Sequence, residues 1–131
     1  MNNTQLYDMA VSAAKNAYAP YSRFKVGAAL LCEDGKVFTG CNVENVSFSA
    51  TLCAERNAIS TAVNNGYTTF IKLAVATVDG KRILPCGICR QVITEFAPHC
   101  EIIFNNNGEI ASYYISELLP DKFGGFSPSD C

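Results

Sequence analysis

Two short segments, Cys53-Ala54-Glu55-Arg56 and Pro85-Cys86-Gly87-Ile88-Cys89-Arg90-Gln91, constrain this chain more than anything else in it. Each opens a stretch that reads as a helix, and together they carry three cysteines and one carboxylate. For the three sulfurs to share one metal, two helices must begin side by side. Three thiolates leave one position of a tetrahedral zinc open, which describes a catalytic site better than a closed structural one.

The spacing supports that chemistry. Cys86 and Cys89 lie on one side of a first helical turn. Helix N-termini favour thiolates over thiols through their exposed N–H groups and positive dipole ends. A three-thiolate zinc carries excess negative charge, and a cation should offset it. Arg56, three residues after Cys53, is the candidate, donating to the ligand sulfurs; the alternative is a solvated helix residue. Gln91 is a second candidate donor by its amide. Glu55 reads either as ordinary compensation of a helix dipole or as a proton shuttle beside a metal-activated water.

The remaining cysteines do not complete a closed site. Cys32, Cys41, Cys100 and Cys131 have no partner at ligand spacing, and the one histidine, His99, follows Pro98 in a loop. A structural zinc would want a fourth protein ligand.

Composition narrows the class. At 131 residues with 49% hydrophobic residues, the chain is expected to form one domain with a proper core and no disordered tract. The net charge is −2 and the ten Lys and Arg are scattered, so no basic stripe is available to track a nucleic acid. A small molecule is the expected partner. The N-terminus shows no secretion signal, and no apolar run approaches the roughly 20 residues needed to span a bilayer. A soluble cytoplasmic location is expected, with no membrane partner. Free thiols in such a chain more often bind metal than form disulfides.

The chain itself reads as α-β-β-α-β-α-β-β. A helix is expected over 4–17, with Leu6, Met9, Ala10, Ala13 and Ala17 as its apolar stripe, ended by Pro20. Strands over 24–32 and 37–43 flank an Asp34-Gly35 turn and form a hairpin. After a polar connection, a helix covers 53–65 with Asn65-Gly66 at its C-cap, packing Ala54, Ala58, Ile59 and Ala62. A buried strand over 71–78, a helix over 87–97, strands over 101–104 and 109–114, and a helical turn at 115–119 follow. A loose C-terminal tail is expected from about 124. This order implies one mixed sheet with helices on its faces, antiparallel in its first pair and parallel across the helical crossovers.

The chain resembles the cytidine deaminase family in its small, homotetrameric, three-cysteine form. The likeness runs through Ala19-Pro20-Tyr21-Ser22, Phe24 to Leu30, Gly40-Cys41-Asn42-Val43-Glu44-Asn45, the two cysteine segments, and Leu118-Leu119-Pro120 with Phe123. A Cys-x-Glu segment followed by Pro-Cys-x-x-Cys is the motif of zinc deaminases at large. The resemblance implies a three-layer α/β/α sandwich around a mixed five-stranded sheet, with one Zn2+ per subunit held by Cys53, Cys86 and Cys89. It implies Glu55 as the catalytic proton carrier, with Arg56 and Gln91 behind the ligands. It further implies that Asn42 and Glu44 hold the ribose 3′-hydroxyl, that Glu44 repels a sugar phosphate, and that the Ala54 N–H reads the base edge. The resemblance also implies that Phe24 and Phe123 flank the pyrimidine, the latter from a neighbouring subunit, and hence a homotetramer with shared active sites. One position departs: Phe48 stands where many relatives carry a tyrosine in the intersubunit network.

The expected reaction is hydrolytic deamination of cytidine and 2′-deoxycytidine, a step of pyrimidine salvage. Two rivals are a deaminase of a cytosine-containing antibiotic such as blasticidin S, and a non-enzymatic zinc-stabilised module. Glu44 within Asn-Val-Glu-Asn favours the nucleoside over the antibiotic, and the missing fourth ligand counts against the module.

Overall fold

The structure, a computed structural model, describes residues 1–124. The expected tail from about 124 onward, including Cys131, lies outside the described residues.

Helix α1 (Asn3–Ala14) opens with a reciprocal cap: the Asn2 side chain accepts from the Gln5 N–H at 2.8 Å, and Gln5 Oε1 accepts from the Asn2 N–H at 2.9 Å. The helix stops at Ala14, three residues short of the expected Ala17. The cause lies just beyond, where the chain turns to run beside another segment. Tyr18 donates its N–H to the Asn42 carbonyl at 3.0 Å and accepts from the Glu44 N–H at 2.9 Å. The buried stripe is accordingly Leu6, Tyr7, Ala10 and Ala14, with Ala13 rotated partly outward.

Strands β1 (Val26–Cys32) and β2 (Val37–Cys41) form the antiparallel hairpin, pairing Gly27 with Cys41 and Leu31 with Val37. The sequence places the start of β1 at Phe24, but Arg23 adopts a left-handed conformation (φ 58°) and delays regular pairing to Val26. Helix α2 (Ala54–Asn64) ends in the expected cap: Gly66 at φ 88°, with Gly66 N–H on the Val63 carbonyl and Tyr67 N–H on the Ala62 carbonyl. Strand β3 (Phe70–Thr77), helix α3 (Gly87–Phe96), strands β4 (Glu101–Asn106) and β5 (Glu109–Tyr114), and the short α4 (Ile115–Leu118) complete the order. A 3₁₀ turn at Phe48–Ala50 interrupts the connection before α2.

Among the described residues the sheet runs β2-β1-β3-β4-β5, and β3–β4 is its one parallel strand pair. The β2 to β3 crossover also joins strands of like direction, but β1 lies between them and is antiparallel to both. Residues alternate between two cores, as the period of two in a strand requires. Val26, Ala28 and Leu30 of β1 face α2 and α3, whereas Ala29 and Leu31 face α1. Every residue of β1 is buried, which makes it the middle of three layers. No described helix is long and apolar enough to cross a membrane.

Two glycines set the spacing of those layers. A Cβ on Gly27 would lie 2.0 Å from the Ala10 carbonyl oxygen and 2.4 Å from the Ala14 nitrogen. One on Gly40 would lie 2.5 Å from the Ala58 nitrogen and 2.7 Å from the Ala54 oxygen. These neighbours are helix backbone and cannot swing aside. Gly40→Ala is therefore expected to destabilise the protein by about 1–3 kcal/mol and to shift α2 outward. Gly87→Ala, which meets nothing within 4 Å, should be neutral or slightly stabilising. Urea midpoints of the two variants against wild type check this.

Candidate metal centre and substrate cavity

Parallel direction brings the two cysteine segments together. Strands β2 and β3 both end at the Cys41/Thr77 side of the sheet, so the helices that follow them begin at one end of it. Cys53 is the N-cap of α2 and Cys86 the N-cap of α3, each with extended backbone, and Cys89 lies in the first turn of α3. Side chains fasten both starts. Asn57 Nδ2 donates to the Cys41 carbonyl at 2.9 Å, tying α2 to β2, and Arg90 Nε donates to the Pro85 carbonyl at 2.7 Å.

The three sulfurs lie within 4.8 Å of one another, and Cys53 and Cys86 are 3.9 Å apart. Zinc–sulfur bonds of about 2.3 Å in a tetrahedron require sulfurs about 3.8 Å apart. Both the spacing and the soft, all-thiolate donor set fit zinc. Among the described residues no other group of this kind occurs, and no fourth protein ligand joins the three.

Protein groups alone already divide the charge unequally among these thiols. The Cys89 thiol donates to Cys53, and with Arg56 and Cys86 it lowers the Cys53 pKa to about 5 against the opposing effect of burial. Cys89 is pushed far up, because its proton is held in that bond and because it is buried. One thiolate forms readily, and the next needs a cation. Arg56 Nη2 stands 3.5 Å from Cys53 Sγ and 3.3 Å from the Thr51 carbonyl oxygen. Gln91, the other candidate donor, is turned away: its Nε2 donates to the Phe123 carbonyl at 3.2 Å. Two residues past Cys89 on the helix, it points to a different side.

Glu55 is 4% exposed, which sets it apart from an acidic residue that merely faces solvent at a helix start. Burial pushes its pKa up to about 7; its own backbone N–H and Arg56 pull the other way. Burial thus raises the carboxyl toward the range in which it can exchange a proton, and a bound dication would oppose that rise.

These groups form one end of a cavity of about 220 Å³, whose lining includes Cys53, Ala54, Glu55 and Cys86 together with Phe24, Asn42 and Glu44. Seven of the residues singled out from the sequence therefore share one space. Asn42 is buried and largely committed: its Oδ1 accepts from the Val26 N–H at 2.9 Å, and its Nδ2 donates to the Phe24 carbonyl at 2.8 Å. Glu44 Oε1 accepts from the Tyr21 and Ser22 N–H groups at 3.0 and 3.1 Å, and Oε2 from the Ser22 hydroxyl. The Ser22 hydroxyl is the largest of the effects that hold the Glu44 carboxyl below its usual pKa.

Phe123 is not in this cavity. It is 76% exposed and borders a separate depression with Gln91, Thr94 and Lys122. Phe48 is likewise exposed, edge-on to Tyr21 with ring centroids 6.1 Å apart. Ser22, Thr51, Ile83 and Leu84 line the cavity and were not singled out from the sequence. The hydroxyl of Ser22 had one visible signal, its place directly after Pro20-Tyr21; the two aliphatic residues had none, being indistinguishable from core.

The family model described as the cytidine and deoxycytidylate deaminase zinc-binding region matches residues 1–105. A cytidine deaminase of Halalkalibacterium halodurans is 42% identical over 125 residues, covering 94% of this chain and 95% of that protein. A blasticidin-S deaminase of Bacillus cereus is 32% identical over 110 residues, covering 78% and 79%. The crystal structure of cytidine deaminase from Burkholderia pseudomallei superimposes with a TM-score of 0.88 at 46% identity, covering 94% of this chain and all of that one. With its three sulfurs at zinc spacing, a buried carboxyl beside them, and this extent of likeness, the chain belongs to the zinc-binding cytidine and deoxycytidylate deaminase family.

Proposed function

We propose that the protein hydrolyses cytidine and 2′-deoxycytidine to uridine and 2′-deoxyuridine with release of ammonia, as one catalytic domain, in pyrimidine salvage. The observation that carries this reading is the single cavity in which Glu55 and two cysteines meet Phe24, Asn42 and Glu44. Identity of 42% to a cytidine deaminase against 32% to a blasticidin-S deaminase also favours the nucleoside.

Cys53, Cys86 and Cys89 would hold the zinc, which when bound would supply the Lewis acidity for attack of water on carbon 4 of the pyrimidine near neutral pH. Glu55 takes a proton from the attacking water and passes it to the ring nitrogen beside carbon 4; it then takes the proton of the new hydroxyl on carbon 4 and gives it to the departing amine. The carbon gains an oxygen and loses ammonia, so the reaction needs no oxidant. Arg56 draws charge from Cys53 and thereby keeps the metal electrophilic. Phe24 offers a ring face to the base, and the Ala54 N–H its donor. Glu44 accepts a sugar hydroxyl and repels a sugar phosphate; Asn42 keeps one N–H for the sugar after its two backbone bonds.

The working unit is a homotetramer with shared sites, in which a neighbour's Phe123 closes over the base. Its support is the exposed aromatic pair Tyr21 and Phe48, which lines a depression sharing Ser22, Glu44 and Thr51 with the cavity, and the position of Phe123 outside its own chain's cavity. With a phenylalanine at position 48, that contact is apolar. The cytoplasm suits the site because its thiols must stay reduced.

Incubation with cytidine, deoxycytidine, dCMP, cytosine and blasticidin S, with ammonia measured, tests the reading. Turnover of the two nucleosides is expected, and faster turnover of blasticidin S than of cytidine would overturn it. Glu55→Gln should lower kcat by roughly 10²–10⁴-fold while zinc content stays at wild-type level. Chelation should abolish activity, and zinc should restore it. Because zinc must displace the raised Cys89 proton, affinity for the metal should fall as pH is lowered, which competition with a chromogenic chelator at several pH values would measure.

A further inference from the structure

Ser22 stands at the junction of the two walls that face a nucleoside. Its hydroxyl donates to Glu44 Oε2, and its oxygen accepts from the Phe24 N–H at 3.0 Å. Its own N–H, with that of Tyr21, occupies Glu44 Oε1. A carboxylate oxygen accepts about two hydrogen bonds, so Oε1 is filled and Oε2 retains one free acceptor direction. Ser22 selects that direction, since the Oε2 site it does not occupy is the one left for a ligand. Phe24 is held at both ends of its peptide groups, by Ser22 at the nitrogen and by Asn42 at the carbonyl. The left-handed Arg23 between them keeps Ser22 and Phe24 from continuing as a strand.

We propose that Ser22 is a positioning residue for substrate specificity, orienting Glu44 so that its single remaining acceptor site reads one hydroxyl of the nucleoside sugar. The inference rests on the proposed nucleoside deamination. A carboxylate freed of the Ser22 hydroxyl stays pinned at Oε1 by the two backbone N–H groups but presents two acceptor directions at Oε2 in place of one. Its preference for a sugar bearing that hydroxyl then weakens, while the metal-side chemistry is untouched.

The test compares the zinc-loaded wild type, Ser22→Ala and Ser22→Thr on cytidine and on 2′,3′-dideoxycytidine, which lacks the 2′- and 3′-hydroxyls. A charge-assisted hydrogen bond of this kind is worth roughly tenfold or more in binding. Ser22→Ala should lower the cytidine-to-dideoxycytidine ratio of kcat/KM by roughly tenfold, chiefly through a higher KM for cytidine, with zinc content unchanged. Ser22→Thr, which keeps the hydroxyl, should restore most of the ratio. In a Glu44→Ala background, Ser22→Ala should no longer alter the ratio. An active wild type in which Ser22→Ala leaves the ratio unchanged, or raises KM equally for both nucleosides, overturns the role of Ser22 alone. A wild type that does not deaminate cytidine overturns the proposed function and this role with it.

Discussion

Three sulfurs held within 4.8 Å cannot all be anionic without a cation among them, and most of the surrounding structure answers that repulsion. Two helix N-termini point their positive ends at the cluster, and Arg56 reaches back to Cys53. These contributions suffice for one easy thiolate at Cys53 but leave Cys89 a firmly held thiol. The protein is thereby tuned to need a dication. Its three-sulfur ligand set is electron-rich, and the Arg56 guanidinium is the cation nearest to Cys53 that the protein itself supplies.

Holding such a cluster demands a stiff support, which the sheet provides by backbone contact. Gly40 lets the first turns of α2 lie directly on β2, and Asn57 adds a side-chain tie from the same helix to Cys41. Arg90 performs a comparable task on the other helix, joining the Pro85 carbonyl to that of Leu118 with two nitrogens of one guanidinium. The ligand-bearing helix starts are thus pinned at points one to four residues from the sulfurs. Site geometry on this fold is a consequence of layer spacing, and layer spacing is a consequence of two missing side chains.

Local patterns made most of the fold legible. The Asp34-Gly35 hairpin and the Asn65-Gly66 cap follow from turn chemistry, and the packed side of α2 follows from its alanines. Where the reading slipped, a distant partner was responsible. The end of α1 is decided by hydrogen bonds of Tyr18 with residues 42 and 44, and the start of β1 by the left-handed Arg23 together with the Asn42 side chain that holds Phe24 and Val26. The position of β1 between β2 and β3 was likewise invisible, since sequence pattern reports direction across a crossover but not which strand fills the gap. At the site, residues with characteristic chemistry were legible by spacing. Ile83 and Leu84 were not, because an aliphatic wall of a cavity and an aliphatic core residue look alike in a sequence.

Asn42 illustrates how closely fold and chemistry are interwoven here. Its amide meets a donor on one side, the Val26 N–H, and an acceptor on the other, the Phe24 carbonyl. Only a side chain with one face of each kind fits. Aspartate, the same shape, would set a carboxylate against a carbonyl oxygen; leucine would leave both backbone groups unsatisfied within the protein. Mutational scans at this position therefore carry an inherent ambiguity. Loss of turnover on changing Asn42 reports the collapse of a strand end as much as any missing contact to a sugar, and functional maps that score activity alone will overstate this residue as a ligand contact.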